Sequence, residues 1–276
     1  MTKEYIENFY DPVPQEKVEE KLRNLKPIHD LIFRKCFGEV GREKSLLYLV
    51  NNFIKRPDGN DFKKVEFISR QMSGDTEVKK SVELDITAIL DDEYILNIEA
   101  QKRHISHMIK RSYFYQIRMY SKQMISGEED YNTLKKVAVL NFVDQDIFKN
   151  KDYHHIIGPT VKTIDIEDLD PKIEEIFEDI YEIHFIQIPV FAKYNKYDLK
   201  KSSHRIIKYL NEKTTYEERL ELVKMDSNLK EIYKKTEETF TNPLYLSEYE
   251  LKEKELADFN TTMRTMHKEG REEGRE

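Results

Sequence analysis

The chain has 276 residues, 36% of them charged and 38% hydrophobic, with a net charge of −7, one cysteine and no tryptophan. The length allows one large domain or two small ones, and so low an apolar fraction leaves part of the chain solvated. No window approaches the ~20 apolar residues of a membrane helix, Cys36 alone makes neither a disulfide nor a cysteine-based metal cluster, and the start lacks the apolar run of a signal peptide; the expectation is a soluble cytoplasmic protein, outside the collagen-like, disulfide-scaffold, membrane and zinc-finger classes.

In chain order, residues 1–26 are mixed and polar, and Pro12 and Pro14 are expected to stop any early helix. After Pro27, the residues Leu31, Ile32, Phe33, Cys36 and Phe37 recur at helical spacing and end near Gly38. A second helix fits Glu43 to Ile54, and Arg56 to Asn60 reads as a loop. Three strand-like runs follow, Lys64 to Ser69, Ser81 to Leu90 and Tyr94 to Gln101. The last two flank the polar turn Asp91-Asp92-Glu93 and read as a hairpin. His104 to Ser126 is helical in pattern. Val137 to Val143 is a near-continuous apolar run, as a buried central strand requires. Ile183 to Phe191 reads as another strand, which Pro189 places at an edge or ends. The stretch between those two strands is expected to be mostly helical. Beyond Lys200 there is no strand candidate. The chain finishes in a Glu-Gly-Arg-Glu repeat whose glycines make a weak helix, and which reads as the start of a longer tail. This order implies a mixed α/β sheet with helices on its faces.

The charge is uneven. From Asp165 to Glu276, 27 acids face 19 bases, whereas the first 164 residues balance to +1. Lys102 to Ser126 holds six basic residues and no acid. An acidic protein can still meet a phosphate backbone along such a strip.

The hairpin carries the chemistry. Side chains alternate across a strand, so Glu83, Asp85 and Thr87 share one face, as do Asn97, Glu99 and Gln101. Folding the hairpin brings Asp85 and Glu99 to one side. Two close carboxylates repel unless a hard cation lies between them. Magnesium is held by one or two carboxylates together with substrate phosphate oxygens, and it supports in-line displacement at phosphorus. The competing reading is a solvated outer sheet face. Against it, the acids sit in Leu84-Asp85-Ile86 and Ile98-Glu99-Ala100, and acids are seldom buried in apolar strands without a partner.

Asp85, a turn, and Ile98-Glu99-Ala100-Gln101 resemble the D…(D/E)-x-K core of the PD-(D/E)xK nucleases. The likeness is closest to the PD-(D/E)xK nuclease family transposases, also called recombination-promoting nucleases, which carry Gln where most nucleases carry Lys. The segment from Pro27 to Gly38 resembles that family's opening helix. Arg111 to Tyr120, then Gly127 and Tyr131, resemble its post-core helix and turn, Phe185 to Phe191 its late strand, and the Gly-Arg-Glu repeat its variable tail. The likeness covers about residues 27–276. The three-residue core alone is a weak motif; the ordered set of segments is much stronger.

The resemblance implies a restriction-endonuclease-like domain over residues 27–195. Residues 1–26 lead into it, a helical extension follows over 196–262, and a polar repeat tail fills 263–276. It implies a magnesium-dependent DNA endonuclease of recombination or mobile elements, manganese substituting. Asp85 and Glu99 would hold the metal, with the Ala100 carbonyl as a third ligand and Asp30 as a further candidate. Gln101 stands in the lysine position, where an amide can orient water but brings no charge. Either another cation helps, with Lys79, Lys80 and Lys102 nearby in sequence, or the chain is a weak or inactive nuclease-fold module for binding DNA or protein. Gln116 and Tyr120 look like the accessory Gln-x-x-x-Tyr motif of RecB-type nucleases, on one helix face. With Lys102, Arg111 and Arg118 they are the candidate DNA contacts, the competing reading being a helix packed by Tyr120 with Gln116 solvated. His154-His155 is a poor metal pair, since neighbouring strand residues point apart. Leu220, Leu222, Val223, Leu229, Ile232 and Tyr233 form either a homo-oligomer seam or a face packed on the sheet.

Overall fold

The computed structural model describes residues 11–68, 71–72, 82–83, 86–101, 107–124, 130–160 and 179–273. Along the chain run α1 (Gln15–Arg23), α2 (Asp30–Phe37), α3 (Glu43–Asn51), β1 (Val65–Phe67), β2 (Gln71–Met72), β3 (Val82–Glu83), β4 (Ile86–Leu90), β5 (Tyr94–Gln101) and α4 (Met108–Ser121). Then follow β6 (Lys136–Val143), β7 (His154–Ile157), β8 (Tyr181–Gln187), α5 (Ile188–Tyr194), α6 (Ser202–Leu210), α7 (Tyr216–Met225), α8 (Ser227–Thr241) and α9 (Pro243–Glu273). Two compact units result, Leu25–Tyr233 and one drawn from residues 1–24 and 234–276.

The larger unit is built on a six-stranded sheet in the order β1-β4-β5-β6-β8-β7. The pairs β5–β6 and β6–β8 are parallel, and the outer pairs are antiparallel. All eight residues of β6 are buried, which is why Val137 to Val143 reads as a near-continuous apolar run. One sheet face packs under α4, through Met108, Tyr115 and Met119 against Val139, Val143, Ile183 and Phe185. The other face packs under α2 and the turn that follows α3: the Phe142 ring lies 5.8 Å from Phe33 and 5.2 Å from Phe53. This is the mixed α/β sheet with helices on its faces that the element order implies.

The β4–β5 hairpin turns on Asp91 and Asp92, both at positive φ (49° and 63°), a conformation Asp tolerates better than most residues. Asp91 Oδ1 accepts from the backbone N–H groups of Lys63 and Lys64 at 2.9 and 2.6 Å, which ties the preceding loop to the turn. The C-terminal end of α2 is equally fixed. A Cβ on Gly38 would lie 2.7 Å from Ile86 Cγ1, so glycine lets the helix end rest on β4.

Four expectations change. Pro14 does not prevent an early helix but precedes one: its φ of −58° already suits the entry to α1. The strand expected over Ile183 to Phe191 ends at Gln187, and Pro189, in the first turn of α5, starts a helix because its missing N–H is not needed there. The stretch between β6 and β8 contains a strand, β7, while residues 161–178 lie outside the described ones. The Gly-Arg-Glu tail continues α9 as helix to Glu273. Once a long helix is nucleated, adding a turn costs little, and glycine loses only about 1 kcal/mol against alanine.

The helices after the sheet pack within the larger unit. Tyr48 Oη donates to Asp226 Oδ2 at 2.6 Å, and Arg205 Nε donates to the same oxygen at 2.7 Å. Cys36 is buried, its Sγ 3.6 Å from the Ile232 carbonyl. Leu222, Leu229 and Ile232 are buried inside this chain, and Leu220, Val223 and Tyr233 are half-buried. The expected domain boundary near 195 falls between α5 and α6. In the smaller unit Lys17 and Lys21 both pair with Glu250, at 3.1 and 2.8 Å. Among the described residues no helix is long and apolar enough to cross a membrane.

Candidate active site

Glu99 lies on the α4-covered face near the end of β5, with 1% of its surface exposed. A solvated outer face is therefore ruled out for this acid. Burying an unpaired carboxylate costs several kcal/mol, and this one is paired. Asn97 Nδ2 donates to Glu99 Oε1 at 3.2 Å. Arg111 Nη2, from the second turn of α4, donates to Glu99 Oε2 at 3.2 Å. Arg111 Nη1 donates to Gln101 Oε1 at 3.3 Å, so one guanidinium spans the acid and the amide two residues on. The third guanidinium donor, Nε, reaches Tyr115 Oη at 2.7 Å, and the Arg111 guanidinium lies 5.2 Å from the Tyr115 ring centre. Arg111 and Tyr115 stand at i, i+4, the spacing that lets side chains on one helix meet.

Further polar groups occupy the same interface. Ser112 Oγ donates to Asn141 Oδ1 at 3.0 Å, and Asn141 Nδ2 donates to the His184 carbonyl at 2.9 Å. Asn141 is the register partner of Glu99 on β6. Thr87 Oγ1 and Asn97 Oδ1, on paired residues of β4 and β5, are buried without a hydrogen-bond partner among the described residues. Orphaned buried oxygens beside a buried carboxylate form a hard donor set, which fits magnesium or manganese and not a soft metal. Among the described residues no three His, Cys, Asp or Glu side chains come together to hold an ion.

The remaining candidates separate clearly. Asp85 and Lys102 lie outside the described residues. Ile86, which opens β4, is in register with Ile98 on β5. The Ala100 side chain is buried. Asp30 opens α2 and is half-buried, in a first turn where a negative charge suits the helix N-terminus. Gln116 is buried under α4 and not solvated. Tyr120 packs against the apolar cluster of that interface. Arg118 is half-buried, its guanidinium 6.0 Å from the Phe114 ring centre. Of the expected DNA contacts, Arg111, Gln116 and Tyr120 thus turn toward the protein. The sequence reading missed Asn97 and Asn141; the available signal was an amide inside an apolar strand, which seldom occurs without a partner.

A model of the family described as PD-(D/E)XK nuclease family transposase matches residues 27–266. The chain belongs to that family. No curated protein and no solved structure matches it. The six-stranded mixed sheet under flanking helices is accordingly a restriction-endonuclease-like fold. In this nuclease-family chain one arginine, Arg111, donates to both Glu99 and Gln101.

A second polar cluster occupies the opposite sheet face of this nuclease-family chain. His154 Nε2 and His184 Nδ1 are 2.9 Å apart. Glu182 Oε2 pairs with Lys136 Nζ at 3.2 Å, and Glu182 Oε1 is 3.4 Å from His184 Nε2 without hydrogen-bond alignment. Burial, and then the charges of His184 and His155, push His154 down to about 4. Burial pushes the Glu182 carboxyl up, but His184 and Lys136 outweigh it and leave the group below its ordinary value.

Proposed function

We propose that the chain is a magnesium-dependent DNA endonuclease that hydrolyses phosphodiester bonds in recombination or mobile-element biology. The observation that carries this reading is Glu99: a buried carboxylate paired with Arg111, in a chain of a nuclease family. Asp85 and Glu99 would hold the ion, with the Ala100 carbonyl completing the protein ligands and Asp30 reaching it through water. When bound, the ion lowers the pKa of a water and offsets charge on the phosphate. Asn97 holds Glu99 Oε1 in place, and Gln101 orients the attacking water through its amide. Lys102 and Arg118 supply phosphate contacts, while Gln116 and Tyr120 shape the wall behind them. The catalytic part is assigned to residues 27–195, with 196–262 as helical extension and 263–276 as tail. The compartment is assigned as the cytoplasm.

The test is plasmid nicking with Mg²⁺. Wild type is expected to nick, and Asp85→Ala and Glu99→Ala to be inactive; activity surviving either substitution refutes the assignment. A second reading, a nuclease fold kept for binding DNA or protein with cleavage reduced or lost, is favoured by the neutral Gln101. DNA binding without cleavage across Mg²⁺ and Mn²⁺ would support it.

A further inference from the structure

We propose that Arg111 supplies the positive charge that Gln101 lacks, so that the two side chains together do what one lysine does in related sites; this rests on the endonuclease reading above. The arginine lies ten residues beyond the core motif, on a helix, where the spacing of a D/E-x-K motif does not look for it. Its fork is engaged on both sides of the core. Nη2 meets Glu99 Oε2 at 3.2 Å, and Nη1 meets Gln101 Oε1 at 3.3 Å.

Three features separate this from a phosphate clamp on a solvated helix. First, the side chain is only 29% exposed and faces a carboxylate that is 1% exposed. Second, its Nε is tied to Tyr115 Oη at 2.7 Å and its guanidinium lies 5.2 Å from that ring, so the head group is oriented from behind. Third, arginine stays protonated at any working pH, so its charge at the core is permanent.

The charge balance follows. With Gln101 neutral, the Glu99-Ala100-Gln101 segment itself carries no cation that would orient water and offset charge developing on the phosphate. Arg111 restores one positive charge beside Glu99. By donating to Gln101 Oε1 it also fixes the amide's orientation. Arg111 acts partly through Gln101, so it is a positioning residue as well as a source of charge. A cation beside Glu99 also opposes a divalent ion at the same carboxylate. Arg111 should therefore weaken ion binding while speeding cleavage, a combination that a merely structural arginine does not produce.

The experiment uses full-length Arg111→Ala, Arg111→Lys, Gln101→Lys and the double variant Gln101→Lys/Arg111→Ala. Nicking is measured with Mg²⁺, and Mn²⁺ affinity is measured without DNA by electron paramagnetic resonance. Arg111→Ala is expected to nick about 100-fold more slowly, as removal of one charge-stabilising donor does elsewhere, and to bind Mn²⁺ more tightly. The double variant is expected to regain at least about tenfold over Arg111→Ala alone, since lysine then stands in its usual place. Arg111→Lys, which keeps the charge and loses the fork, is expected to keep wild-type Mn²⁺ affinity and to nick at an intermediate rate; it carries the test if the alanine variant does not fold. Nicking by Arg111→Ala at the wild-type rate, unchanged or weaker Mn²⁺ binding in that variant, or no recovery in the double variant overturns the proposal while leaving the endonuclease reading intact. An inactive wild type, or an active Glu99→Ala, overturns the endonuclease reading itself. The Mn²⁺ affinities still decide whether Arg111 acts as a cation on that site.

Discussion

Acidification should loosen the larger unit through His154. In the folded protein His154 is held at about 4, against an ordinary 6.5, because it is buried beside His184 and His155 with only Glu182 opposing. From α3's side it meets the Phe53 ring, 6.1 Å away, which offers no charge. The sign follows from linkage: a histidine lowered on folding stays neutral while its unfolded counterpart takes up a proton. The stability it gives is complete above pH 6.5, falls as pH drops toward 4, and changes no further below that. The full gap is worth roughly 3 kcal/mol at most, and about 2 kcal/mol is lost by pH 5. Urea unfolding followed by circular dichroism at pH 7.5 and pH 5 measures this in wild type and in His154→Asn. Wild type is expected to lose about 2 kcal/mol more than the variant between those two values. Carboxylates with lowered values, such as Glu182 and Asp226, lose their contribution only at lower pH, so they do not imitate the effect. Equal losses in the two proteins would refute the argument.

Other expectations follow from single contacts. Gly38→Ala would place a Cβ 2.7 Å from Ile86 Cγ1 and 3.2 Å from the Arg34 carbonyl, so stability should fall by about 1–3 kcal/mol; an unchanged melting temperature would show that α2 shifts freely. Asn97→Ala removes the donor to Glu99 Oε1, and nicking should slow by roughly tenfold, the worth of one hydrogen bond to a charged group; a wild-type rate in the folded variant would exclude a positioning role. Without metal, Arg111→Ala leaves Glu99 buried and short of a partner, and unfolding should come about 2–3 kcal/mol earlier, below the usual cost because Arg111 is partly exposed. Restoring Arg111→Ala with Glu99→Gln in the same chain should recover most of that loss.

Much of the sheet was legible because its strands carry strong patterns. Tyr94 to Gln101 has the same bounds in sequence and structure, since alternation and the Asp91-Asp92 turn mark both its ends. The run at Val137 to Val143 identified the central strand because both of its faces are buried. Pro189 was harder: the same residue ends a strand and starts a helix, and only the register of β8 with β6 and β7 tells the two apart. His154 and His155 gave no strand pattern, as β7 is a short edge strand held by one neighbour. The burial of Glu99 could be inferred from its apolar strand, whereas the direction of Arg111 could not. A basic residue in a basic helical strip looks solvated until the strand beneath it is known to bury an acid. Gln116 illustrates the same limit, because helical spacing places it on a face without saying what covers that face.

The central claim is that Glu99 is a metal ligand. A crystal soaked in Mn²⁺, with diffraction recorded at the manganese absorption edge, tests it most directly. The account expects an anomalous peak bound by the carboxylates of both Glu99 and Asp85. A crystal in which manganese binds elsewhere, while Glu99 keeps its Asn97 and Arg111 partners, would contradict it.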